Sequence, residues 1–324
     1  MGDCLVSVVL LNWNGAPYVF RCVEAVTSQT YRPIELIVVD NGSQDGSVEE
    51  IERRGIASQV IRNPSNVGFA AGMNQGIEAS HGEFVLLLNS DVVLHDEFVQ
   101  RAVAAMEADV SVGMVAPRVF RWAGDRLTEE VDSTGLMMRW SYRFTQVSAD
   151  SPPRYVFGPC GACPFLRRKM LRDVRETSGH YFDESYFAFG EDMDLWFRAQ
   201  LQGWKCYYDP RAIAWHIHSA SLGGRVRMVE KPRAYQLHAL RNRYVTVLKN
   251  CPSGLLMAQA LPLLAAELVR TAYFAVAAPR TAALVFQALR QLAARMPEVL
   301  ESRRRIQAGR RVGSLYLLRF FVKP

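Results

Sequence analysis

Three apolar runs end on polar residues, and this repeated ending constrains the chain more than any other feature. VSVVLLN (6–12), IELIVVD (34–40) and FVLLLNSD (84–91) are apolar up to their ends apart from Ser7 and Glu35, the pattern of strands covered on both faces. Between them, Val19, Cys22, Val23 and Val26 recur at helical spacing. Helices are predicted over 45–54, 70–80 and 96–108, with a weak strand near Val60–Arg62. This alternation implies βαβ units with right-handed crossovers, hence an α/β fold around a mainly parallel sheet. Ligands of such sheets sit beyond the carboxyl ends of the strands. Those ends carry Asn12 and Asn14, then Asp40, then Asn63 and Asn66, then Asn89 and Asp91. One such residue would be a cap; four clusters on one edge describe a site. Asp91 alone reads two ways, as the N-cap of the next helix or as a carboxylate delivered where charge is needed.

At 324 residues the chain can bury a full core, and one large α/β domain with an appendage is the expectation. Its charge is uneven. Residues 231–324 carry 16 Lys/Arg against Glu267, Glu298 and Glu301, or +13, so with a net charge of +6 residues 1–230 sum to −7. An acidic body with a basic tail suggests that the tail faces something anionic, a membrane or nucleic acid. The tail lacks the interleaved aromatic motif of a nucleic-acid binder, so no nucleic acid is expected. The six cysteines are scattered, and Cys160-Gly-Ala-Cys163 has no second pair with which to complete a zinc site. The stretch Leu5–Leu11 is too short for a signal segment and has no basic flank, and Val6 stands where a myristoylation motif wants Ser or Thr. A reducing cytoplasm is the expected compartment.

Residues 117–158 read as loops and short strands. A helix near 168–175 follows, then FGEDMDLWFRAQLQGW (189–204) as a second helix, then strands at Lys205–Tyr208 and Ile213–His216. From 231 onward the chain reads helical.

VVLLNWNG, VVDNGS, NVGFAAGMNQG, LLLNSDV, GEDMDLWFRA and WHIHSAS occur in this order. Jointly they resemble the family 2 glycosyltransferases of the GT-A fold, especially the rhamnosyltransferase-like branch, over roughly residues 5–245. The resemblance implies a catalytic domain over 1–250, with a nucleotide-binding half at 1–116 and an acceptor half at 117–250. A basic helical tail, 251–324, follows it. It implies inverting transfer of a sugar from a nucleoside-diphosphate donor, assisted by Mg²⁺ or Mn²⁺, with rhamnose on deoxythymidine diphosphate as the donor the branch suggests. The acceptor implied is a glycan or a polyprenyl-diphosphate-linked hydroxyl.

Residue by residue, Asp91 matches the last acid of the family's DxD motif and is the expected metal ligand, with His216 beside it and His218 the weaker candidate. Asn89 replaces the motif's first acid. A neutral amide is a poor metal ligand, so its expected partner is ribose or phosphate. Asp192 is the expected general base, with Glu191 and Asp194 supporting it from the same acidic helix start; an acidic first turn also merely stabilises a helix. Asp40 matches the position that reads the nucleotide base. Asn12, Asn14, Asn66, Gly68 and Asn74 are the expected donor contacts, while Gly72 and Gly76 extend a spacing that also suits close helix packing. Gly161 and Trp196 are expected to shape the sugar and acceptor pocket.

Residues 254–278 are long enough to cross a bilayer, but Glu267 and Arg270 near the middle each cost about 2.5–3.5 kcal/mol on insertion. A helix lying in the plane of an anionic membrane surface fits better, which makes the expected localisation peripheral on the inner face of the cell membrane. An ordinary helical subdomain is the alternative. Two other functions compete. A sugar nucleotidyltransferase would show a Gly-rich loop ending in basic residues after the first strand, and NWNGAPY is not one. A non-catalytic nucleotide-sugar-binding relative would have lost Asp91, Glu191-Asp192 or His216. The first strand–helix turn also lacks GxGxxG, which excludes a Rossmann dehydrogenase.

Overall fold

The computed structural model describes residues 4–217 and 228–322. The first third alternates as the periodicity predicts: β1 (Val6–Asn12), α1 (Val19–Thr27), β2 (Ile34–Asp40), α2 (Ser47–Arg54), β3 (Gln59–Arg62), α3 (Phe69–Ala79), β4 (Phe84–Asn89), a short β5 (Val92–Leu94) and α4 (Phe98–Ala108). The irregular middle contains β6 (Val112–Ala123), β7 (Arg126–Ser133), β8 (Leu136–Met138), β9 (Phe144–Gln146), β10 (Arg154–Val156) and β11 (Phe165–Arg167). Helices α5 (Arg168–Ser178) and α6 (Glu191–Leu201) lead into β12 (Lys205–His216). Six helices complete the chain: α7 (Arg233–Asn250), α8 (Ser253–Ala258), α9 (Ala260–Ala277), α10 (Pro279–Ala294), α11 (Met296–Ala308) and α12 (Ser314–Leu318).

The main sheet runs β10-β12-β6-β11-β4-β1-β2-β3, with β5 added on β12 and β7 on β6. Pairings β1–β2, β1–β4, β2–β3 and β6–β12 are parallel, while β11 runs antiparallel between β4 and β6. Register sets Asn12 beside Asp40 and Leu11 beside Asn89, so the polar strand ends finish level on one edge. Successive residues of the buried strands point to opposite faces. Val8 and Leu10 join the layer that includes α1 and α4, whereas Val9 joins the layer that includes α3. A Cβ on Gly76 would lie 2.1 Å from Val9 Cγ1, and one on Gly72 would lie 2.6 Å from Leu11 Cδ1. The glycine spacing of α3 therefore lets its backbone rest against the sheet.

Asp91 sits in the turn between β4 and β5, well before α4 begins at Phe98, so it caps no helix. The C-terminal segment packs into the body. Phe320 and Phe321 are buried in the same core as Phe157 and Trp196, and Met138 donates its backbone N–H to Phe320 O while Val322 donates to Met138 O, each at 2.8 Å. Arg303 of α11 donates to the carbonyls of Leu248 and Cys251, closing the end of α7.

Candidate active site

A cleft of about 970 Å³ opens beyond the carboxyl ends of β1, β2 and β4. Asn14, Asn66, Gly68, Asn89 and Asp91 line it, as do Gly161, Glu191, Asp192 and His216. Residues from six separate stretches of sequence thus meet around one volume. Lys231, Tyr235, Arg243 and Val247, at or on α7, form a further wall.

Four residues expected in the site lie outside the lining. Asn12 is fully buried and donates to Asp40 Oδ1 (2.9 Å), Ser43 Oγ (3.1 Å) and Ser47 Oγ (2.9 Å). Asp40 is buried as well, and its two oxygens accept from Asn12, the Ser43 hydroxyl and the backbone N–H groups of Gly42 and Ser43. These contacts knit the β1 and β2 ends together beneath the cleft and engage both carboxylate oxygens of Asp40. Asn74 is spent on the 182–184 segment, accepting from Phe182 N (2.9 Å) and donating to Phe182 O (2.9 Å) and Glu184 Oε1 (3.0 Å). Trp196 is a core residue with no exposure, packed beneath Gly158. Each was expected from its position in a motif, and each is consumed by a partner distant in sequence.

The other donor-side residues do reach the cleft. Asn14, at a positive φ of 49°, accepts from Gln44 N through Oδ1. Asn66 Oδ1 accepts from Gly68 N at 2.9 Å. Asn89 closes β4, and its side-chain amide has no hydrogen bond among the described residues. Gly68 is required by the protein itself: its φ is +92°, and a Cβ there would lie 2.7 Å from both the ring and the carbonyl oxygen of Phe187. That carbonyl accepts from Phe69 N (2.7 Å) and so caps α3. Asn41, which the sequence reading passed over, is buried, lines the cleft and donates to Gly68 O.

His216 Nε2 lies 3.5 Å from Asp91 Oδ1, and its Nδ1 lies 3.4 Å from Asp132 Oδ2. Burial opposes charge on the imidazole, but Asp132 and Asp91 outweigh it and raise the pKa to about 10. Two acids therefore call for positive charge at this point. Two ligands of one divalent ion, with bonds of about 2.1 Å, stand roughly 3–3.5 Å apart, which this pair matches. Asp132 fixes the ring by its far nitrogen, as a carboxylate behind a metal-binding histidine does. Among the described residues no third His, Cys, Asp or Glu completes the set, so donor oxygens and water would supply the remaining positions. His218 lies outside the described residues.

Gly190, in the left-handed region, caps the start of α6, whose first turn carries three acids with three fates. Asp192 lies in the cleft and accepts from Met193 N at 2.8 Å. Burial pushes its carboxyl up to about 6, Met193 opposing and the charge of Cys160 adding. A Cβ on Gly161 would meet Asp192 Oδ2 at 2.7 Å, so that glycine makes room for the carboxylate. Glu191 is buried with Oε2 unpartnered, and burial and the charge of Asp192 hold its carboxyl well above the usual range. Asp194 is fully buried. Despite that, Lys249 (3.0 Å) and Arg198 (2.8 Å) hold it ionised and well below the usual range.

The Lys249 contact ties α6 to α7, and a second tie secures the loop before α6. Phe187 and Phe189 both adopt positive φ, 63° and 69°. The Asn242 amide donates to the carbonyls of Tyr186 (3.0 Å), Ala188 (3.0 Å) and Phe189 (2.8 Å). Neither Asn242 nor Asp132 carried any local sequence signal, since each acts through a contact with a residue far along the chain.

The fold is that of nucleotide-sugar transferases of the GT-A type. TarS of S. aureus in complex with UDP-GlcNAc superposes with a TM-score of 0.56 at 16% identity, covering 94% of this chain and 88% of that one. The mannosyltransferase PcManGT from Pyrobaculum calidifontis, in complex with GDP-Man and Mn²⁺, gives 0.52 at 17% identity, covering 98% and 85%. Residues 7–175 match the model of glycosyl transferase family 2, and the chain belongs to that family. Among curated relatives, glycosyltransferase AglE of Haloferax volcanii is 34% identical over 144 residues, 42% of this chain and 47% of the relative. Glycosyltransferase GlyG of Streptococcus pneumoniae is 32% identical over 115 residues, 34% of this chain and 38% of the relative. The match thus spans less than half of either relative's length. The N-acetylglucosaminyl-diphospho-decaprenol L-rhamnosyltransferase of Mycobacterium tuberculosis is 24% identical over 247 residues, 68% of this chain and 78% of the relative.

Proposed function

We propose that this chain moves a sugar from a nucleoside-diphosphate sugar to a hydroxyl of a glycan or polyprenyl-diphosphate-linked acceptor, inverting the anomeric carbon. One observation carries the reading: Asp192 and the Asp91–His216 pair line the same cleft at the carboxyl edge of the sheet. Inversion requires a base that takes the acceptor's proton as its oxygen attacks opposite the leaving diphosphate. Asp192 suits that role. At about 6 its carboxyl is a stronger base than an ordinary aspartate and is still largely ionised near neutral pH. Its Oδ1 is fixed by Met193 N, leaving Oδ2 beside Gly161 for the incoming hydroxyl. Glu191 stands beside it with its carboxyl held well above the usual range by burial and by the charge of Asp192.

Asp91 and His216 would hold a divalent ion, which supplies positive charge against the departing diphosphate. Asn14, Asn66 and Asn89 offer neutral amides to phosphate, ribose and sugar hydroxyls without adding negative charge beside the diphosphate. Rhamnose on deoxythymidine diphosphate is the donor we favour. The name of the mycobacterial relative supports rhamnose as the sugar, and supports a polyprenyl-diphosphate-borne acceptor. The direct test is donor hydrolysis over a panel of nucleotide sugars, with and without Mn²⁺ or Mg²⁺. We expect one donor class to be turned over and the rate to rise with metal. No binding of any donor, with no effect of metal, overturns the reading.

A further inference from the structure

Helix α9 carries an apolar face that no described residue covers. Leu261, Leu264, Leu268, Val269 and Val276 are each more than half exposed. Met257 of α8 and Phe286 of α10 are similarly exposed on the flanking helices. Single exposed apolar residues are ordinary, but a row along an 18-residue helix, about 27 Å long, is not. The two charged residues of α9 look the other way. Glu267 accepts from Arg243 and from the Tyr244 hydroxyl (2.8 Å) of α7, and Arg270 pairs with Glu267 and with Tyr244. The mid-helix charges that argued against crossing the bilayer are thus paired against the protein, away from the apolar face.

Charge decides what covers the face. Between residues 231 and 297 Glu267 is the sole acid, and it is engaged. Arg280 and Arg290 on α10 are exposed and have no carboxylate partner among the described residues. A second copy would oppose like charges across the same apolar face. An anionic bilayer complements both features.

We propose that the outer face of α9 docks in the plane of an anionic lipid bilayer and so presents the α7 wall of the cleft to lipid-borne acceptors. Arg243 belongs to both structures, lining the cleft and bonding Glu267. The acceptor part of this proposal rests on the transfer reaction proposed above; the docking does not. The test is flotation of the full-length chain with vesicles of phosphatidylcholine alone and of phosphatidylcholine mixed with phosphatidylglycerol. Removing the segment would also strip core residues, so point variants are used. We expect binding to the mixed vesicles, weakened by salt, and weaker binding to the neutral ones. Leu264→Glu with Leu268→Glu should lower the bound fraction about tenfold or more, and Leu261→Ser with Val269→Ser less so. Thermal unfolding and donor hydrolysis should match the parent in both.

No vesicle binding by the parent, or variants that float as it does, overturns the proposal. So does a stable dimer that the same substitutions dissociate, because the face then belongs to a second copy. Vesicle binding without turnover of any donor upholds the docking and overturns the reaction.

Discussion

Asp192 and Asp194 stand two positions apart on one helical turn and behave oppositely. Asp194 faces Lys249 and Arg198 and stays charged in the interior, while Asp192 has no salt-bridge partner among the described residues and titrates upward. Replacing Asp192 with Asn should keep donor affinity within a few-fold and lower turnover by about 10²–10⁴, the usual worth of a general base. Equal losses in donor binding and turnover would make it structural. Turnover in the parent should rise with pH through about 6, as Asp192 ionises. The linkage has the opposite sign for stability. A carboxyl raised in the folded state stabilises at low pH, and that contribution is lost as pH rises from about 4 through about 6. Asp192→Asn should therefore be more stable than the parent above pH 6, by about 1–3 kcal/mol in denaturant melts. Gly161→Ala, whose methyl group would press on Oδ2, should also cut turnover while sparing donor affinity. The position of Asp192 was legible in the sequence because an acidic helix start is local. Asp40, Asn12, Asn74 and Trp196 lie off the cleft lining because a motif names a position without its partners, and here those partners are the protein's own.

Helices α6 and α7 and the loop before them form one assembly. Two non-glycine residues at positive φ, at about 1–3 kcal/mol of strain each, are kept in place by surrounding contacts. Asn242 supplies three of these from the middle of α7. Asn242→Ala should cost about 1–3 kcal/mol of stability. Because Phe187 also caps α3 beside Gly68, the variant should raise the donor KM as well as lower kcat. A purely structural role would show loss of stability with both constants unchanged in the folded fraction. Lys249→Met, which leaves Asp194 with one cation fewer in the interior, should cost about 3–5 kcal/mol by the same melts. The helical pattern of α7 was readable in the chain, but its inward polar residues looked like any solvated face. Only their three-dimensional neighbours distinguish Asn242 and Lys249 from surface side chains.

Across the whole molecule, the sheet was the most legible part, because strands buried on both faces leave continuous apolar runs whose ends fall level by register. The last 74 residues, 251–324, were less so. Their basic composition suggested a separate tail, whereas Phe320, Phe321 and Ile306 are buried in the main core. A chain cut after residue 250 should lose cooperative unfolding and solubility, as circular dichroism melts and sedimentation would report. A soluble, fully active fragment would contradict the packing described. The Phe187 carbonyl that stops α3 and the Asn242 clasp that sets the start of α6 belong to one five-residue bend, 186–190. The Gly68 flank of the cleft and the first turn of α6 thus share a single pivot, so neither half of the cleft can be reshaped while the other stays still.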